Sequence, residues 1–238
     1  MKRVLLAFFS IVIMACSVEN GFPQNQPTVK EIFRKVLKHW DPINDYTVDS
    51  QIIVDIPGIR MPKMRVKIYF KKPDKVYLKA RGFAIFPKNG MGPDPRRLQK
   101  WEKNARFAGI DRLRGHPVYH VIVEANQPGV PLYQVHLYLS TKTFLIEKIK
   151  TVYSNRRFMS LKFRYKKLKK TIWVPKEIVA SFELRSTKMD SIMNKFQPNR
   201  TGGSRIFKMP FKKGTVYIYL KNYKLNTGLK DSIFEKKK

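Results

Sequence analysis

The chain has little of what enzymes and disulfide-stapled proteins are built from. Its 238 residues include one cysteine, Cys16, so it can form no internal disulfide and no thiolate metal cluster. Its four histidines, His39, His116, His120 and His136, lack ligand or triad spacing. His116 and His120 fall where a strand is expected, and there they would share a face about 13 Å apart, too far to hold one metal. Carboxylates are sparse, 17 Asp and Glu against 49 Lys and Arg, and Glu124, Glu147, Glu177 and Glu183 fall in separate strands with no paired pattern. There is no G-x-S-x-G, Walker or dinucleotide-binding glycine pattern. The residues support no enzyme and imply no cofactor or metal.

Long apolar runs are also missing. The longest, residues 4–15, is broken by Ser10 and is too short to cross a bilayer as a helix. Behind Lys2 and Arg3 it reads instead as the core of a signal peptide. It ends in Ile13-Met14-Ala15-Cys16, which resembles the bacterial lipobox, where cleavage precedes a cysteine that carries diacylglycerol. A lipid anchor on Cys16 is therefore expected. Ordinary cleavage after Ala15-Cys16-Ser17 is the alternative, and both routes export the protein. The expected organisation is a signal peptide at 1–15, a tether at 16–26 containing Gly21 and Pro23, and one folded domain at 27–238.

What the chain has in excess is positive charge, a formal +32. In a cytosolic protein that would indicate nucleic acid. Export removes nucleic acid from the expected partners and leaves an anionic membrane surface, where each basic residue contributes on the order of 1 kcal/mol. An apolar share of 43% with 13% aromatic residues is enough to form a core.

Two periodicities organise residues 28 onward. Thr28 and Glu31 form a capping-box pattern after Pro27. Val29, Ile32, Phe33, Val36 and Trp40 then recur at helical spacing opposite Lys30, Arg34, Lys35 and Lys38, which predicts an amphipathic helix ending before Pro42. From Tyr46 the period becomes two. Met64, Val66, Ile68 and Phe70 alternate with charged residues, as do Val76, Leu78 and Ala80 across a Pro73-Asp74 turn. Tyr133, Val135, Leu137 and Leu139 repeat the pattern, followed by Met159, Leu161, Phe163 and Tyr165, by Ile178, Ala180 and Phe182, and by Val216, Ile218 and Leu220. Alternation of this kind belongs to antiparallel sheets with one wet face, and it predicts roughly ten strands. Segments 89–104 and 185–213 interrupt it, the first with a helical turn through Arg97, Leu98 and Trp101. Phe83, Ile85 and Phe86 form a dense apolar cluster, either core or the rim of a cavity.

Several segments resemble the LolA/LolB-like superfamily of periplasmic lipoprotein carriers and outer-membrane receptors. The stretch from Val66-Lys67-Ile68-Tyr69-Phe70 through Lys71-Lys72-Pro73-Asp74-Lys75 to Val76-Tyr77-Leu78 is similar to that group's strand–K-x-P-D-K–strand hairpin. Gly115-His116-Pro117-Val118-Tyr119, Ile172-Trp173-Val174-Pro175-Lys176, and Asn226-Thr227-Gly228-Leu229-Lys230-Asp231 follow in the same order. The resemblance implies a mainly β fold with a few helices, an incomplete, half-open antiparallel β-barrel wrapped around helices, with an apolar cavity for the acyl chains of lipoproteins or other lipids. Met64, Val66, Ile68, Phe70, Leu78 and Leu161 are the residues expected to line it. A periplasmic-face outer-membrane location follows from the anchor. The alternative is a basic envelope lipoprotein with a structural, adhesive or stress-sensing role and no transport.

Overall fold

The Thr28 hydroxyl accepts the Glu31 backbone N–H at 3.2 Å, and the Glu31 carboxylate accepts the Thr28 N–H at 2.9 Å. This reciprocal cap starts helix α1 (Val29–Lys38) where the capping-box pattern placed it. Its apolar stripe, Ile32, Phe33 and Val36, is almost wholly buried, while Lys30, Arg34 and Lys35 face water. The helix ends two residues short of Trp40. Its last turn tightens there, with the His39 and Trp40 N–H groups donating to Val36 and Leu37 carbonyls.

The computed structural model describes residues 26–58, 60–80, 95–125, 133–153, 158–169, 171–183 and 213–235. The leader, Cys16, most of the tether, the apolar cluster at Phe83, Ile85 and Phe86, and nearly all of segment 185–213 lie outside them.

Ten strands follow α1: β1 (Asp45–Asp55), β2 (Met64–Lys71), β3 (Lys75–Ala80), β4 (Ala105–Leu113), β5 (His116–Ala125), β6 (Tyr133–Ser140), β7 (Ile146–Tyr153), β8 (Phe158–Lys167), β9 (Trp173–Glu183) and β10 (Lys213–Leu225). A short helix, α2 (Pro95–Trp101), precedes β4, where the helical turn was expected. The strands form one antiparallel sheet in the order β3-β2-β1-β10-β9-β8-β7-β6-β5-β4. Two meanders are thus joined where the first strand pairs with the last. β3 and β4 do not meet, so the barrel stays open.

The alternation sorts onto two faces. On the concave face, paired positions run Ile52, Ile218, Ile178 and Phe163 across four adjacent strands, all buried. These side chains join α1 and Leu98 of α2 in one apolar cluster. Met159 occupies a concave-face position but is 43% exposed, because it lies at the start of β8, away from the helix. Irregularities in register at 47/49, 107/109, 138/139 and 164/165 add local twist and bend the sheet around the helix. Gly109, at one of them, has φ of 117°, a backbone conformation that side-chain-bearing residues rarely adopt.

Candidate functional site

The last turn of α1 lies over the sheet and forms a small, partly open apolar cavity with it. Val36, His39 and Trp40 form its roof, and Ile68, Ile146, Ile178 and Leu220 are among the sheet residues beneath. His39 fixes the roof in place, its Nε2 lying 2.6 Å from the Thr143 carbonyl in the β6–β7 turn. Three tyrosines, Tyr46, Tyr165 and Tyr223, add aromatic walls. Tyr165 donates its hydroxyl to the Ile146 carbonyl and Tyr223 to the Pro175 carbonyl, each at 2.8 Å, so their rings stay buried without an unpaired donor. Burial pushes the Tyr46 hydroxyl up to about 12 and moves Tyr165 and Tyr223 in the same direction. All three are neutral at physiological pH, so the walls that they form carry no charge. The cavity volume is about 50 Å³.

Below the cavity the chain is clasped shut. The Asp45 carboxylate accepts the Thr227 N–H at 2.8 Å, the Thr227 hydroxyl at 3.1 Å and the Gly228 N–H at 2.9 Å. Burial alone would raise the Asp45 pKa, but these donors outweigh it and hold the group below its ordinary value. Asn226 accepts the Asn44 N–H at 2.7 Å and donates to the Pro42 carbonyl at 2.7 Å. Asp231 pairs with Lys71 at 2.8 Å and Lys75 at 3.1 Å. The segment 226–231, a resemblance motif in the sequence, thus ties the end of the chain to the start of β1.

The six residues expected to line a cavity belong to one apolar surface and divide on it. Met64, Val66 and Ile68 are buried in the central cluster, and Phe70, Leu78 and Leu161 are partly buried on the same face. Of the six, only Ile68 borders the cavity. The tyrosine wall, His39 and the Trp173-Val174-Pro175 stretch had not been singled out as lining. For the tyrosines, the signal was an aromatic residue at an inward position of β1, β8 and β10.

On the convex face the polar residues find partners that spacing within a single strand does not disclose. His116 Nε2 meets the Glu147 carboxylate at 2.9 Å, and Arg164 meets Glu177 at 3.4 Å. His120 Nε2 lies 3.0 Å from His136 Nδ1. These pairs cross strands, so finding them needs the register.

No family model and no curated protein matches the chain by sequence. Solved structures do match it in three dimensions. A domain from Vibrio parahaemolyticus named for outer membrane lipoprotein sorting matches with a TM-score of 0.55 at 10% identity, covering 87% of this chain and 95% of its own. A LolA superfamily protein from Nitrosomonas europaea gives a TM-score of 0.55 at 14% identity, over 89% of this chain and 99% of its own. A DUF1329 family protein from Desulfovibrio piger gives 0.54 at 14%, over 88% and 98%. At such identities the likeness is one of fold, and it extends over nearly the whole of each neighbour. This chain has the half-open, helix-filled β-barrel fold of LolA superfamily proteins.

Proposed function

We propose that the protein binds the acyl chains of lipoproteins or other lipids against its concave sheet face, as a lipid carrier or receptor in outer-membrane lipoprotein sorting. The observation that carries this reading is the unclosed sheet, whose apolar concave face is covered centrally by one ten-residue helix. The names of two fold neighbours point to the same class. Met64, Val66, Ile68, Phe70, Leu78 and Leu161 would form the inner wall. Cys16 would carry the anchor, residues 16–26 the tether, and the body would work at the periplasmic face of the outer membrane. Its role is binding rather than catalysis.

The cavity is far below the roughly 300–1,000 Å³ of ordinary ligand pockets, so an acyl chain must displace α1 to enter. Exposing Ile32, Phe33 and Val36 costs roughly 1.5–3 kcal/mol each. Burying methylenes at about 0.8 kcal/mol apiece offsets this after roughly six to eleven of them. Long chains can therefore open the fold, whereas short ones cannot. Mass spectrometry of gently purified protein should find long-chain lipid or lipopeptide. A lipid-free protein whose melting temperature does not respond to added lipopeptide would overturn the reading. Fatty-acid labelling of wild type against Cys16→Ala tests the anchor separately.

The small size of the cavity favours a second reading, an envelope lipoprotein with a structural, adhesive or stress-sensing role and no cargo. Depleting the protein separates the two, since normal sorting of other lipoproteins would favour the second.

A further inference from the structure

Pairing across the convex face brings cations together with few counter-charges. One row runs Gly109, His120, Tyr138, Lys148, Lys162 and Val179 from β4 to β9. The adjacent row runs Arg106, Ile122, His136, Lys150, Ser160 and Ser181. Lys148 and Lys162 are direct cross-strand partners, and Lys150 stands beside them in the next row. Like charges placed directly opposite one another destabilise a sheet. None of the three lysines makes an ion pair among the described residues. Lys148 lies 4.7 Å over the Tyr138 ring and Lys150 5.5 Å over that of Phe158.

A second observation is independent of charge. Ser160, next to Lys150 in the second row, is only 6% exposed, and its hydroxyl has no hydrogen-bond partner among the described residues. A buried, unpartnered hydroxyl is rare in folded proteins and calls for an explanation such as a bound ion. Here it stands between Lys150 on one side and Ser181 on the other.

We propose that Lys148, Lys150 and Lys162, with Ser160 opposite Lys150, form a binding site on β7 and β8 for a tetrahedral oxyanion of the phosphate class, free or carried on a lipid headgroup, with the His120–His136 pair beside it on β5 and β6 within reach of its field. The histidine pair first suggests a metal, since its two nitrogens lie only 3.0 Å apart. The surroundings decide otherwise. No third ligand joins them among the described residues, and Arg106, Lys148 and Lys150 repel a cation. The facing carboxylates are Asp111 on β4 and Glu124 on β5, and Glu124 already accepts a hydrogen bond from Gln134 at 2.8 Å. An anion would relieve the repulsion between the lysines and give the Ser160 hydroxyl an acceptor.

Burial first, and then the neighbouring cations, hold both histidines below their ordinary pKa, while Asp111 pulls His120 and Glu124 pulls His136 the other way. Both rings are therefore neutral near pH 7. A bound oxyanion favours their protonated forms, so binding takes up protons and tightens as the pH falls, by up to about tenfold per unit for each proton. The site does not depend on the acyl-chain reading, and either can fail without the other.

The test follows the ring signals of the four histidines by NMR in the full chain. Inorganic phosphate should shift His120 and His136 and leave His39 and His116 in place. Sulfate, which keeps its charge across this range, should bind more tightly at pH 6 than at pH 7.5. Lys150→Gln and Lys162→Gln should each weaken binding about 5-fold, matching about 1 kcal/mol per basic residue near an anionic surface. Ser160→Ala should weaken it without lowering the melting temperature. Vesicles of phosphatidic acid in phosphatidylcholine identify the source. A shift with phosphate alone indicates a free ion, and a shift with vesicles alone indicates a headgroup. No response to either, equal shifts at all four histidines, or a Lys79→Gln control as damaging as Lys150→Gln would overturn the site.

Discussion

The two faces of this one sheet come from the same alternating strands yet are held in place differently. The concave face is apolar from β1 to β10, and its side chains are locked by packing on α1. The convex face carries the surplus of lysine, and polar contacts on it include Lys67 with Asp49 at 3.5 Å, Arg164 with Glu177 at 3.4 Å and His116 with Glu147 at 2.9 Å. Burial on one face stabilises the fold, whereas like charges crowded on the other oppose it. A cationic surface of this kind persists at some cost in stability, which suits a surface that meets anions. Each face also contains one buried hydroxyl without a partner among the described residues, Ser50 on the concave side and Ser160 on the convex side. The contrast between the faces can be tested residue by residue.

The largest effect should come from the helix that fills the concave face. Phe33 is 1% exposed, and Phe33→Ala should cost about 3–5 kcal/mol in denaturant unfolding. The same variant should bind long-chain lipid better, because it loosens the packing of α1 on the concave face. A loss below about 1 kcal/mol would mean that α1 is not the element that closes the barrel.

The clasp comes next. Asp45→Asn keeps the shape but removes the charge that four donors address, and should cost about 1.5–3 kcal/mol at pH 7. The folded-state pKa of Asp45 is depressed, so its contribution is present above the unfolded value of about 3.9 and is lost as the pH falls through the folded value. Wild type and variant should therefore differ most at neutral pH and converge in acid. A constant gap from pH 7 down to pH 3 would show that the carboxylate charge is not what holds segment 226–229 to β1.

The buried hydroxyls give a smaller effect of opposite sign. Ser50→Ala should raise stability by about 1 kcal/mol, since it removes a buried polar group with no partner among the described residues. It should leave phosphate binding unchanged, unlike Ser160→Ala.

Much of this contrast could be read in the sequence because it follows from period alone. The capping box, the α1 stripe, the ten strands and their inward residues all depend on neighbours within one element. The cavity wall was less legible. Tyr46 and Tyr223 are inward residues like many others, and only the pairing of β1 with β10, which joins the two ends of the chain, makes them neighbours. The convex site was hidden for the same reason. His120 and His136 are sixteen positions apart, and their contact exists only in the β5–β6 register. The spacing of His116 and His120 along one strand shows only that those two cannot share a metal, whereas the ring that meets His120 lies on the neighbouring strand.

The smallest stability effects, and the most specific, separate lysines that look alike in sequence. Lys67, Lys75, Lys79 and Lys162 all alternate with apolar residues, and uniform anion binding would make them equivalent. The structure divides them. Lys67 pairs with Asp49 and Lys75 with Asp231, whereas no ion pair engages Lys79 or Lys162 among the described residues. Lys75→Glu should cost about 0.2–1 kcal/mol, the usual range for an exposed pair, and Lys79→Glu, which places a carboxylate directly opposite Lys67, should be neutral or slightly stabilising. Lys162→Glu should be neutral or slightly stabilising, because it places a carboxylate directly opposite Lys148. Binding to anionic vesicles should follow another order, with Lys162→Glu the most damaging and Lys67→Glu the least, since Lys67 is already half-neutralised by its partner. Salt should reduce all of this binding, as exposed charges are screened beyond about 8 Å at physiological ionic strength. If all four reversals weaken vesicle binding equally, the convex face acts as a diffuse cloud of charge; a selective loss at Lys162 would locate the contact on β7 and β8.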